Sequence, residues 1–177
     1  MNFKNLTQEI RNLMLEEINY DLVNNSLFIS NRLTDKGSSL YVSFLKEAAA
    51  LGDEVSLANA LRGEGVISQT YVRKNPKSGM TTCKTPVNQA EMTAEGEFNR
   101  FYIRAICRSA CNQGVSEVEI YRARAVQNPR SESEARIGIT VNPSDLLSDL
   151  RENLGGDTVM GCPGGPNSGL SVCLKEV

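Results

Sequence analysis

The longest helical period in the chain runs from residue 89 to residue 113. Phe98, Tyr102, Ala105 and Ile106 form one stripe at helical spacing, with Phe101 and Ile103 beside it. Asn88 and Glu91 have the spacing of a capping box, and Gly114 ends the run. A helix with so much apolar surface needs other elements packed around it.

The flanking segments read as both helices and strands. Ile10, Leu13, Met14, Ile18 and Leu22 predict an amphipathic helix over 5–24, capped by Asn5 or Thr7 and ended at Asn24–Asn25. An extended piece, 27–33, follows. Leu40, Tyr41, Phe44, Leu45 and Ala48 predict a second helix over 36–51 behind Asp35. Asp53 caps a third, which Gly63 and Gly65 stop. Residues 66–87 are rich in β-branched side chains around the turn Asn75–Gly79, a hairpin signal with long arms. Residues 118–126, 137–141 and 169–177 read as strands, and Asn142–Pro143 opens a helix ending at Asn153. The expected class is α+β in a single domain. It has N-terminal helices (1–65), a projecting long β-hairpin (66–87), and a core (88–177) of the central long helix with a small, mostly antiparallel sheet.

Composition removes several chemistries. The 177 residues contain no histidine, so neither Ser-His-Asp nor Cys-His activation arises within the chain, nor any imidazole metal site. Five cysteines without a C-x-x-C pair argue against a disulfide framework and a zinc ribbon. Cys107 and Cys111, one helical turn apart, read as small apolar residues on a helix face. No catalytic group, metal or cofactor is expected. No apolar run is long enough for a membrane span and the N-terminal stretch is polar, so the expected location is the cytoplasm, or a particle assembled there. The glycine-rich stretch 155–169 lacks G-K-[ST] and reads as a surface connection to the last strand.

Charge is uneven. Residues 66–87 carry Arg73, Lys74, Lys77 and Lys84 and no acid, whereas residues 1–65 and 138–177 each sum to −3. A basic finger on an acidic body suits a neighbouring copy or nucleic acid, and the same lysines also guard an exposed strand edge. Arg100, Arg104 and Arg108 form one ridge on the long helix, followed by Arg122 and Arg124. These five suit an anion site or internal ion pairs. The matching seven arginines and seven glutamates over 88–137 favour pairing. Glu95 with Glu97, and Glu132 with Glu134, read as solvated faces.

Four blocks resemble proteins encoded in bacterial and phage genomes: LTQEIRNLM (6–14), EGEFNRFYIRAICRSA (95–110), EIYRARAVQNPRSESEARIG (119–138) and GPNSGLSV (165–172). The resemblance implies no activity or residue roles, and a phage context implies a virion or morphogenesis role. The leading expectation is a non-enzymatic structural or assembly protein packing with copies of itself or other particle subunits. Glu16, Glu17 and Asp21, or Asp145 and Asp149, would be the receiving surface. The alternative is a nucleic-acid module using the hairpin and the arginine ridge. The third is a small enzyme built around Tyr102, Tyr121, Arg104 and Glu97.

Overall fold

The computed structural model describes residues 1–76, 79–154, 158–164 and 168–175. Helices α1 (Gln8–Val23), α2 (Asp35–Leu51) and α3 (Glu54–Leu61) lead into β1 (Thr70–Asn75) and β2 (Gly79–Lys84). Then come α4 (Gln89–Asn112), β3 (Val118–Arg122), the one-turn α5 (Ser131–Glu134), β4 (Thr140–Val141), α6 (Pro143–Glu152) and β5 (Leu170–Leu174). The class is α+β, with two small antiparallel sheets among the described residues.

Most helix starts follow from their caps. Thr7 Oγ1 accepts from the Ile10 N–H, and Asp53 and Ser56 close a reciprocal capping box. Asn142 Oδ1 accepts from the Ser144 and Asp145 N–H groups, with Pro143 at the first helical position. Two expected caps differ. Thr34, not Asp35, caps α2, leaving Asp35 in the first turn, where its charge suits the helix N-terminus. Asn88 makes no side-chain cap for α4, and Glu91 instead pairs with Arg62 at the end of α3.

Helix α4 is the axis of the molecule, about 36 Å long at the usual rise. Helices α1, α3 and α6 and strand β5 all pack against it. Phe98, Phe101, Tyr102, Ile103, Ala105 and Ile106 are all buried, and the Phe3 ring lies 4.6 Å from that of Tyr102. The second sheet has the order β4-β3-β5, with Val118 opposite Leu174 and Arg122 opposite Leu170. Strand β3 stops short of Val126, the expected end. Its partner β5 starts only at Leu170, and at Gly169, with φ 68°, one carbonyl accepts from both Ala123 N and Arg124 N, which breaks the regular ladder. Among the described residues no helix is long and apolar enough to cross a membrane.

The hairpin is a two-stranded sheet of its own, in the register Tyr71–Cys83, Val72–Thr82 and Lys74–Met80. It is held at its base. Leu33 bridges Ile67, Ser68 N donates to Arg32 O, and Asn31 Nδ2 donates to Val72 O at 3.0 Å.

Candidate functional site

The arginine ridge turns inward. Arg104 is fully buried on α4 between two carboxylates of α1. Its Nε donates to Glu17 Oε2 at 2.8 Å, and its Nη1 and Nη2 donate to the two oxygens of Asp21 at 2.7 and 2.8 Å. Arg151 of α6 donates to the same Glu17 at 2.6 and 3.0 Å and lies 4.2 Å over the Tyr20 ring. Arg108 adds Glu16 at 2.8 Å and Glu17 at 3.3 Å. Burial pushes the Glu17 carboxyl up, but Arg151 and Arg104 together hold it below the ordinary carboxylate value. Arg100 donates to the Leu150 and Asn153 carbonyls at the end of α6, at 2.9 and 2.8 Å. Arg122 pairs with Glu134 and donates to Ser168 O, and Arg124 lies 3.2 Å from Glu95. Each of these arginines is thus engaged within the fold, the internal pairing being one of the two readings of the ridge.

The expected receiving surface is corrected at three of its five residues, while Glu16 and Asp145 stay exposed. Glu17 and Asp21 are buried under Arg104, and Asp149 is buried accepting from the Val159 and Met160 N–H groups at 3.0 and 2.7 Å. None of the three can meet a neighbour. A different exposed acidic surface exists at the corner between α2 and α3. Glu47 lies one turn before Leu51, and Asp53 and Val55 follow, all four exposed, with Leu51 at 86% and Val55 at 55%.

Arg73, Lys74 and Lys84 of the hairpin are exposed, and among the described residues none of them forms an ion pair; Lys77 lies outside those residues. The strand alternation sorts the two faces. Tyr71 turns toward the body, and the Arg32 guanidinium stacks 4.3 Å over its ring. The opposite face carries Thr70, Val72, Lys74, Met80, Thr82 and Lys84, all exposed, with Val72 at 44% and Met80 at 71%.

A cleft of about 480 Å³ opens over the N-terminal half of α4, between the 28–32 connector and the glycine-rich tail. Gln89, Thr93, Gly96, Glu97 and Arg100 of α4 line it, with Phe28 and Arg32 on one side and Leu170 and Arg124 on the other. Arg32 is fixed at its edge by Tyr71 and by donation to Gln89 Oε1 at 2.7 Å. Glu97 is buried rather than solvated, which corrects the pairing of Glu95 with Glu97 on one wet face. Burial pushes its carboxyl up to about 7, against the pull of Arg100 and Arg104. Tyr102, Tyr121 and Arg104 do not line this cleft. The two tyrosines bind the N-terminal segment instead, at Asn5 N, Lys4 N and Asn2 O.

Gly96 faces the cleft with no atom within 4 Å of where a Cβ would stand. Glycine inside a helix costs about 1 kcal/mol relative to alanine. Gly96→Ala is therefore expected to stabilise the protein by about that amount, read as a rise in the denaturation midpoint.

The described cysteines are not joined in disulfides. Cys107 is buried and its thiol is pushed well up, chiefly by desolvation, while Cys111 is exposed, so the two do not form a reactive pair. Among the described residues no group of three or more acidic or cysteine side chains could hold a metal ion. No protein-family model matches the chain, and no curated protein or solved structure is similar to it.

Proposed function

We propose that this chain is a non-enzymatic assembly protein that associates head to tail with copies of itself. The outer hairpin face, with Val72 and Met80 flanked by Lys74 and Lys84, seats on the α2–α3 corner of the next copy. There Leu51 and Val55 lie beside Glu47 and Asp53. The reading rests on one observation. The hairpin carries the exposed cations Lys74 and Lys84 and the apolar Val72 and Met80 on a single face, and among the described residues no carboxylate pairs with those cations. Matched charge and matched apolar area on two different patches give a heterologous contact, which closes into rings or runs on as filaments. A virion or morphogenesis component is the setting such contacts suit.

Size-exclusion chromatography with light scattering tests this. The protein is expected to gain mass with concentration at low salt and to lose it at high salt. Met80→Glu is expected to give a monomer, because it puts a carboxylate beside Glu47 and Asp53 of the neighbour. Lys74→Glu is expected to do the same and to regain assembly when mixed with a Glu47→Lys chain. A monomer at every concentration and salt overturns the proposal. So does a hairpin-dependent mobility shift with DNA or RNA in place of self-association, which would favour the nucleic-acid reading.

A further inference from the structure

Glu97 is a buried acid that the fold leaves without a partner. It is only 8% exposed, and it makes no hydrogen bond or ion pair among the described residues. A carboxyl at that depth is costly unless something pairs with it. The charged groups facing it are already occupied. Arg104 of α4 is held by Glu17 and Asp21, and Arg100 reaches the carbonyls of α6. Asp21 of α1 repels it. From α2, the buried Tyr41 hydroxyl also lacks a hydrogen-bond partner. Across the cleft, Arg124 faces Glu95, with Nε 3.2 Å from Glu95 Oε2, and both side chains stay partly exposed. One lining acid therefore lacks a donor, and a partly exposed guanidinium stands in the opposite wall.

The remaining walls say what lies between those ends. Phe28, Met92 and Leu170 are apolar, and Gly96 leaves the floor open. The volume of about 480 Å³ lies in the range of small-molecule sites. Lining arginines disfavour a simple cation, and the buried acid disfavours a simple anion. A ligand carrying both charges meets each objection.

We propose that this cleft binds a small zwitterion of amino-acid to dipeptide size, with its ammonium on Glu97, its carboxylate toward Arg124, and its apolar side chain against Phe28, Met92 and Leu170. Binding removes the desolvation cost of Glu97 by giving the ionised carboxylate a charged donor. The ammonium competes with the carboxyl proton, so affinity rises with pH through about 7. The titratable and charged groups that bear on this step are Arg32, Arg100, Arg104, Asp21 and Tyr41.

Calorimetry with three probes tests the assignment: phenylalanyl-glycine, its N-acetyl form and its C-terminal amide. The free dipeptide is expected to bind, the acetylated form to fail, and the amide to bind more weakly. Glu97→Gln is expected to weaken the dipeptide by about 10- to 100-fold, the worth of one hydrogen bond to a charged group. Gly96→Leu fills the floor and is expected to abolish binding while leaving the denaturation midpoint no lower, so loss of binding cannot be put down to misfolding. Equal binding of the acetylated probe overturns the proposal. So does unchanged affinity in Glu97→Gln, or no binding by any probe at millimolar concentration.

Discussion

Arg104→Ala is expected to cost about 3–5 kcal/mol, enough to leave a domain of ordinary stability largely unfolded or insoluble. The reason is asymmetric. Among the described residues, removing the guanidinium leaves Asp21 without an ion pair and Glu17 with Arg108 and Arg151, with both carboxylates still in the core. Lost attraction is the smaller part, and uncompensated buried charge is the larger. Urea denaturation of the variant measures the loss. A compensated variant separates the two contributions. Arg104→Met combined with Asp21→Leu takes a buried pair away together and leaves Glu17 to Arg151 and Arg108, and it is expected to recover much of the stability. An Arg104→Ala chain that melts within about 1 kcal/mol of the parent would contradict the burial of this cluster.

Glu97→Gln is expected to act in the opposite direction, with a sign that depends on pH. The folded protein holds the Glu97 proton up to about 7, whereas the unfolded chain releases it near 4.5. Between those values the folded state binds the extra proton, so stability falls as pH rises through the window. Two and a half pH units correspond to about 3 kcal/mol, present at low pH and lost above about 7. Glutamine carries no charge to desolvate. The variant should therefore match the parent near pH 4.5 and exceed it by about 3 kcal/mol in mildly alkaline buffer. Thermal melts at the two pH values read this directly. Glu17 contributes with the other sign. Its depressed carboxyl favours folding above the ordinary carboxylate range, and that contribution fades as pH drops through its lowered value. The two acids thus bound the stability profile from opposite sides.

How much of this was legible in the sequence depends on how local each feature is. The stripe on α4, the Asn142–Pro143 start of α6 and the antiparallel arms of the hairpin depend on neighbours close in the chain, and all three appear as expected, the tip residues 77–78 lying outside the described residues. The cap at Thr34 was missed because two adjacent residues could each serve, and the backbone chose the earlier one. The ion cluster left a partial trace. Glu17 and Asp21 fall on the same face of α1 as Ile10, Met14 and Ile18, and acids at core positions signal buried partners. Their partners were not readable, because Arg104 lies 83 residues from Asp21 and Arg151 lies 134 from Glu17. Only the docking of α1 and α6 on α4 brings them together. Glu97 was misread for a related reason. Its spacing from Glu95 suggested a shared wet surface, yet on a helix covered from several directions positions two apart face different neighbours.

The shared carboxylate of Glu17 has a mechanical consequence. It joins α4 and α6 to α1 through charges that none of the three can withdraw alone without stranding the others in a dry interior. Partial opening of any one helix is thereby penalised almost as heavily as opening all three. In amide exchange the three should then protect their protons to a common, near-global free energy, while the two-stranded hairpin, tied only at its root, breathes on its own and exchanges far sooner.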